Sequence, residues 1–510
     1  MNSPDPVRKS AMQHAMKPHA VVVGSGFGGL ATAVRLGARG YRVTVLEKLD
    51  CAGGRGRVHQ QDGFSFDAGP TIITAPFLFE ELWQVAGEDF SKDVELKRMD
   101  PFYRVRFDDG THFDYVGEPK RNEAQIRELN PSDIEGYRRF LKAAGENYRV
   151  GFEQLVDRPF CHLSDMLSVV PDMLRLRADR PVHQMVSRYV KSDKLRMVLS
   201  FHPLLIGGNP YAASSVYTLI SHLEKDSGVF SAMGGTGALV RGLERLIAKQ
   251  GNAIRFNAEV EEILLRDRKA CGVRLKDGGR LEADIVVCNS DVAWTYRNLL
   301  PGLKRRRWTD KRLARAHYSN GLFLWYFGTD QRYEDVPHHS IILGPRYKGL
   351  LDDIFHNHHL PEDFSLYLHR PTATDNSVAP EGCDCFYVLA PVPNLKASWD
   401  WASNAEQFRR QVERRLASTM LPDLAKHVIS SKVTTPLDFQ DDLLSYRGAA
   451  FGMEPRLLQS AWFRPHNRSE DVGNLYFVGA GTHPGAGLPG VISSAKVVEK
   501  LVPHGNAISH

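Results

Sequence analysis

The sequence predicts an α/β protein built on a doubly wound parallel sheet, interrupted by a second, mixed-sheet region and a helical stretch. Three observations predict it. An apolar, β-branched run, Ala20 to Val23, leads straight into Gly24, Gly26 and Gly29 in the spacing G-x-G-x-x-G, then into a helix over Leu30 to Leu36. A second apolar run, Arg42 to Leu46, ends on the acid Glu47. Near the other end, Asn474 to Ala495 repeats the order of strand, glycine-rich turn and helix start. At 510 residues the chain is too long for one simple core, and two or three domains are expected.

Each element of the first stretch has a physical task. Gly24 allows the tight turn, Gly26 lets a pyrophosphate approach the backbone, and Gly29 brings helix and strand together. Ala31, Val34 and Ala38 give the helix a small-residue face, and Gly40 stops it. Glu47 accepts hydrogen bonds from a ribose diol and repels a 2′-phosphate, so the ligand is a dinucleotide with an unphosphorylated adenosine ribose. The binding candidates here are Gly24, Ser25, Gly26, Gly28, Gly29, Glu47 and Lys48.

Gly53-Gly54-Arg55 follows and resembles the G-G-R segment of the glutathione-reductase-like flavoproteins, where a second backbone turn and an arginine hold the pyrophosphate from the other side. That likeness implies a Rossmann-like FAD-binding domain rather than a nicotinamide site, and adds Gly53, Gly54 and Arg55 to the candidates. It also places Val260 where related folds touch the adenine with backbone groups.

Composition narrows the class. With 42% hydrophobic residues and a mean hydropathy of −0.32, the chain is a soluble globular protein. A net charge of +5 without a basic, aromatic-interleaved face argues against nucleic acid. Residues 1–18 are polar and lack an apolar signal core, so they are expected to form a disordered arm. No run approaches the roughly 18 apolar residues needed to span a bilayer. Six scattered cysteines suit reduced thiols in a cytoplasm, and Cys383 with Cys385 lacks the second pair that zinc needs.

The remaining chain divides by pattern. Nucleotide-binding segments are expected at 19–100, 226–300 and 461–510, and substrate-domain segments at 101–225 and 301–460. Phe64 and Phe66 alternate with Ser65 and Asp67 as in a strand, and Phe102 to Tyr115 reads as a hairpin around Asp109-Gly110. From Glu123 to about Lys194 the pattern is helical, entered at Asn130-Pro131-Ser132-Asp133. Gly228 to Leu239 is a glycine-rich re-entry. Ile254 to Leu264, Gly272 to Leu275 and Ile285 to Cys288 read as β-structure, with Asn289-Ser-Asp291 after them. Gly321 to Phe327, Ser365 to Leu368 and Phe386 to Leu389 are strands of a mixed sheet.

Several features admit two readings. Leu163, Met166, Leu167, Val170, Met173 and Leu174 recur at helical spacing and are followed by Arg175, Arg177 and Arg180. This is either an in-plane membrane helix with arginines at the headgroups or a helix packed on its own core. Lys304-Arg305-Arg306-Arg307 is a solvated loop or a contact to acidic lipid. His202 is a packed loop histidine or a base. The histidines at 338, 339, 356, 358 and 359 lack a helical i, i+4 pair beside a glutamate, so no metal site is expected.

The C-terminal stretch supplies Gly479, Ala480, Gly481, Thr482, Gly490 and Val491, with free N–H groups at Gly490 and Val491 expected to face a ring carbonyl or phosphate. Gly24 to Arg55 together with Asn474 to Ser494 resembles the bacterial phytoene desaturase family, a branch of the FAD-dependent amine-oxidase-like fold. Phe201 to Pro210, Gly344 to Tyr347, Glu362 to His369, Tyr387 to Asn394 and Gln459 to Asn467 agree with it. The resemblance implies FAD, a long carotenoid polyene as substrate, and successive desaturation of 15-cis-phytoene to neurosporene (three steps) or lycopene (four).

Such a hydrocarbon calls for an apolar tunnel, with about 0.8 kcal/mol gained per buried CH₂. The simplest chemistry is hydride transfer to flavin N5 and loss of a proton from an allylic cation, which needs no strong dedicated base. Catalytic residues are unassigned: where some relatives carry an acid and an arginine, this chain has Phe140 to Arg149, with Glu146 and Arg149 as substitutes. Oxygen or a membrane quinone is the expected electron acceptor, and the expected location is the cytoplasm, peripheral to the inner face of the cell membrane. The rival readings are a carotene cis–trans isomerase, a desaturase of another carotenoid, and a non-catalytic prenyl-lipid carrier.

Overall fold

Ala20 to Val23 lies in the middle of a five-stranded parallel sheet, which is why the run is apolar on both faces. The strand order is Leu475–Phe477, Ile285–Cys288, His19–Val23, Arg42–Leu46 and Ala253–Arg255. The computed structural model describes residues 17–507, so all but two residues of the expected N-terminal arm lie outside the described residues. Val21 pairs with Val286 on one side and Thr44 on the other, so residues more than 200 positions apart share one register.

The helix Phe27–Ala38 packs on two others, Leu488–Leu501 and Thr236–Lys249. Its Arg35, 2% exposed, donates through Nη1 to Glu499 Oε2 (2.7 Å) and through Nη2 to Glu81 Oε1 (3.0 Å). One guanidinium thus ties the first helix to the last.

A seven-stranded mixed sheet forms the second layer. Its order is Val428–Thr434, Gly321–Thr329, Asp384–Val392, Leu366–His369, His339–Ile342, Tyr103–Arg106 and His112–Tyr115. All neighbours are antiparallel except His339–Ile342 with Tyr103–Arg106, and that pair brings the early hairpin onto strands from beyond residue 320. The second strand, Gly321–Thr329, is buried at all nine positions, and helix Trp401–Thr419 covers one face through Trp401 and Phe408.

Two expected elements differ from the structure. Ile254 to Leu264 is not one piece: Ala253–Arg255 joins the parallel sheet and Val260–Arg266 begins a separate three-stranded antiparallel sheet, with Asn257 between them in the left-handed conformation (φ 52°). A chain that reverses at Asn257 cannot continue the same strand. The periodic stretch Leu163 to Leu174 is likewise two short helices, Leu163–Leu167 and Val170–Arg175. Pro171 lacks an N–H and its ring collides with the carbonyl four residues back, which ends the first helix at Leu167. The basic run 304–307 is engaged by the fold: Arg305 pairs with Asp310 (2.9 Å), and Arg307 stacks on the Trp462 ring 4.1 Å from its centroid.

Replacing Arg35 by Leu leaves Glu499 without this cation and Glu81 with Lys496 alone (2.8 Å). Because both acids are partly exposed, the loss expected in thermal or denaturant unfolding is about 2 kcal/mol rather than the larger cost of a fully buried pair.

Candidate functional site

Two glycine-rich turns meet at the carboxyl end of the parallel sheet, and the side chain of Asn289 lies between them. A Cβ at Gly26, Gly28 or Gly479 would sit 2.8, 2.6 or 2.7 Å from the Asn289 side-chain amide. Those three positions are glycine because Asn289 already occupies the space. Gly29 has a different reason: its Cβ would lie 2.1 Å from the Gly24 carbonyl oxygen. Asn289 follows the strand Ile285–Cys288, which pairs with His19–Val23, so sheet register places it under both turns.

Glu47 is buried and hydrogen-bonded on both oxygens. Ser25 donates its N–H (2.8 Å) and its hydroxyl (2.5 Å) to Oε2, and the Leu49 N–H donates to Oε1 (3.0 Å). A carboxylate has about four lone-pair sites, so acceptor capacity remains for a ribose diol. Lys48 is held by the Asp441 carbonyl at the cavity edge. Gly53 N–H donates to the Ser25 carbonyl (3.0 Å), locking the G-G-R turn onto the first turn. Arg55 donates through Nη2 to Ser445 Oγ (2.8 Å) and faces Asp291, while its solvent-shielded Nε has no partner among the described residues. Burial depresses the Arg55 pKa and Asp291 opposes the shift, so the guanidinium is a desolvated cation with a spare donor. That is what a pyrophosphate requires. Val260 begins its strand at a register shift and lines the same cavity.

On the C-terminal side Gly479 takes φ 90° and its N–H donates to Ser494 Oγ (2.8 Å). The Ala480 carbonyl accepts from buried Arg464 Nη2 (2.8 Å), and Arg464 also donates to the Met453 carbonyl (2.8 Å). Gly481 packs where a Cβ would be 2.7 Å from Val292, and the Thr482 hydroxyl donates to the Pro465 carbonyl (2.6 Å). Neither Gly481 nor Thr482 lines the cavity; both brace the turn. The expectation of a free amide at Val491 is corrected: its N–H donates to the Gly487 carbonyl (2.9 Å), because Gly487 caps the helix Leu488–Leu501 and Val491 makes the first i→i−4 bond. Gly490, in the first turn, lines the cavity.

Gly24, Gly26, Gly28, Glu47, Lys48, Gly53, Gly54, Arg55, Val260, Gly479, Ala480, Gly490 and Val491 border one cavity of about 530 Å³, which continues past Gly479 into a largely apolar chamber, whereas Ser25, Gly29, Gly481 and Thr482 do not line it. Leu322, Leu324, Ile341 and Leu389 of the seven-stranded sheet form one wall, and Met166, Val169 and Met173 belong to the opposite, helical side. The sequence left open whether 163–174 packs inward or faces a membrane. The structure shows both faces in use: Met166, Val169 and Met173 line the cavity, while Leu163, Leu167 and Leu174 are 52, 61 and 67% exposed.

His202 is packed against Phe201 and Tyr115, with Nε2 3.0 Å from Glu224 Oε2. Glu224 is the carboxylate that does line the apolar chamber, and its Oε1 accepts from Tyr103 (2.7 Å). Glu146 lies on the surface 3.6 Å from Arg175, and neither it nor Arg149 lines the cavity. Asn289, Glu224, Arg464 and His483 were missed as site residues. Asn289, Arg464 and His483 stood in stretches already marked as motifs, whereas Glu224 carried no sequence signal.

His483 is buried, lines the cavity, and contacts the Leu155 carbonyl through Nε2 at 2.9 Å. Burial pushes its pKa down to about 4, so the folded site holds it neutral. The folded pKa lies below the unfolded one, so its contribution to stability is present above pH 6.5 and is lost as pH falls toward 4. Acid titration of unfolding is expected to show a loss of up to ~3 kcal/mol across that window, reduced in His483→Gln. Gly28→Ala, which drives a methyl into Asn289, is expected to cut FAD retention at least tenfold in equilibrium dialysis while far-ultraviolet dichroism stays unchanged.

The model of the flavin-containing amine oxidoreductase family matches residues 27–498. The chain is 50% identical to the neurosporene-forming phytoene desaturase of Cereibacter sphaeroides, over 95% of this chain and 94% of that protein. It is 46% identical to the lycopene-forming phytoene desaturase of Pantoea ananas, over 96% and 99%. Among solved structures, cyclohexylamine oxidase of Brevibacterium oxydans shares the fold with a TM-score of 0.60 at 16% identity, covering 96% of this chain and 98% of its own. With half its residues shared with one desaturase across nearly the whole length, the chain belongs to the flavin-containing amine oxidoreductase family and, within it, to the phytoene desaturases.

Proposed function

We propose that this protein is an FAD-dependent phytoene desaturase that converts 15-cis-phytoene to neurosporene, lycopene or both. The observation that carries this reading is a single cavity that joins a glycine and arginine cradle to an apolar chamber. Gly24, Gly26, Gly28 and Gly54 with Arg55 would hold the pyrophosphate, Glu47 the adenosine ribose, and Val260 the adenine side. Gly479, Ala480 and Gly490 would border the ring end. The orphaned Arg55 Nε and the sites closed to a Cβ fit such a group. When bound, FAD supplies the hydride acceptor for each desaturation step.

The chain's own residues bind, orient and keep water out. A polyene offers no polar handle, so Leu322, Leu324, Ile341, Leu389 and Met173 position it through apolar burial alone. Glu224 is held as a hydrogen-bond acceptor, its Oε1 by the Tyr103 hydroxyl and its Oε2 by His202. This agrees with proton loss from an acidic allylic cation without a dedicated acceptor.

The substrate dissolves in bilayers rather than water, and Leu163, Leu167 and Leu174 form an exposed apolar face directly outside the cavity-lining Met166 and Met173. We read that face as the docking surface for a membrane, through which phytoene enters and products leave. No helix among the described residues is long and apolar enough to cross a membrane, so attachment is in plane. Oxygen or a membrane quinone then accepts the electrons.

Purified, FAD-reconstituted protein incubated with phytoene in liposomes under air or a quinone is expected to give coloured products lighter by six or eight hydrogens by mass spectrometry. Products of unchanged mass would instead identify an isomerase, and bound flavin with untouched phytoene would point to a carrier or another carotenoid. The combined variant Leu163→Gln, Leu167→Gln, Leu174→Gln is expected to lose at least tenfold in liposome co-sedimentation while keeping its flavin.

A further inference from the structure

Away from the nucleotide cradle, three buried histidines converge. Antiparallel pairing sets His339 directly opposite His369, and His338 precedes His339 at the start of its strand. The three are 6, 0 and 2% exposed in the order 338, 339, 369, and each offers one nitrogen within 4.8 Å of the others. In sequence they stand about thirty residues apart with no metal spacing, so strand pairing alone creates the cluster.

The hydrogen bonds around it divide into an outer and an inner set. On the outside, His338 Nδ1 contacts Thr374 Oγ1 (2.7 Å) and His339 Nδ1 contacts the Tyr367 hydroxyl (2.7 Å). On the inside, His338 Nε2 and His369 Nε2 stand 3.0 Å apart, and His339 Nε2 is buried with no partner among the described residues. Two imidazoles sharing a proton account for the 338–369 contact but leave the His339 nitrogen unexplained. A metal-site histidine is oriented by donating its other ring N–H to an outer acceptor, a place that the Thr374 and Tyr367 hydroxyl oxygens take here. The 3.0 Å separation is close to that of neighbouring ligands on an ion held at about 2.0–2.1 Å.

We propose that His338, His339 and His369 form a binding site for a late first-row divalent transition ion, zinc in the first instance, with water or hydroxide as the fourth ligand. An all-imidazole donor set excludes calcium and magnesium and suits zinc, copper or nickel. Of the charged groups that face His338, Asp375 supplies negative charge, and Arg370 is neutralised by Asp384 (3.0 Å) and Glu334 (3.3 Å). An ion on His339 Nε2 fixes the other tautomer position, so Nδ1–H donates to Tyr367 and the Tyr367 hydroxyl donates to Thr71 Oγ1 (2.8 Å), both residues of the cavity wall. The ion is thus a positioning element for that wall.

The test uses tag-free, full-length, FAD-loaded protein incubated with Zn²⁺, freed of unbound ion by gel filtration, and measured by plasma mass spectrometry. About one zinc per chain is expected, falling at least tenfold in His369→Gln and in His339→Asn with flavin content preserved. Substitution by Co²⁺ should give tetrahedral ligand-field bands to the red of the flavin absorption. Less than a tenth of an ion per chain in the wild type, or equal zinc in wild type and variants, overturns the proposal. Should the variants not fold, X-ray absorption of the wild-type zinc decides: a shell with three imidazole nitrogens supports the site, and one of sulfur or of oxygen alone overturns it.

Discussion

The whole architecture depends on the close approach of two backbone turns around Asn289. A Cβ at Gly26, Gly28 or Gly479 would collide with that amide, so glycine is required at both ends of a 510-residue chain for one contact to exist. The contact in turn depends on sheet register. Ile285–Cys288 must pair with His19–Val23 on one side and Leu475–Phe477 on the other for Asn289 to reach both turns. Arg35, bonded to Glu81 and Glu499, secures the same closure from the helical side.

From this junction the rest follows by extension. The mixed sheet begins where the parallel sheet stops supplying walls, and its apolar side chains prolong the cofactor cradle into a largely apolar chamber. Arg464 braces the cradle, holding the Ala480 and Met453 carbonyls together. The segment from Leu163 to Leu174 closes the chamber with one face and leaves the other to solvent. Breaking the helix at Pro171 lets both faces be apolar without a long, fully greasy helix.

In the reading proposed above, catalysis rests on placement rather than on acid–base machinery. The carboxylate in the chamber wall, Glu224, is engaged with Tyr103 and His202. A buried carboxylate left without such partners would be costly, and one that is satisfied does not intrude on an apolar substrate. Selectivity for a long hydrocarbon then comes from shape and dryness, and the difficult electron chemistry is left to the flavin.

Local sequence determined the strand–turn–helix of the nucleotide fold, Glu47 and the G-G-R turn, because close approach to a phosphate and recognition of a ribose demand particular residues at short spacing. It also marked the second glycine-rich segment and the strands of the mixed sheet through their apolar alternation. It did not show Asn289 as the wedge, Glu224 in the chamber wall, the occupied amide of Val491, or the meeting of His338 and His339 with His369. Each of these arises from pairing between segments tens to hundreds of residues apart, and register is a property of the assembled sheet that no local pattern encodes. The two-faced stretch at 163–174 shows the same division: its periodicity was legible, but which face met the cavity was decided only when Met166 and Met173 packed opposite the sheet.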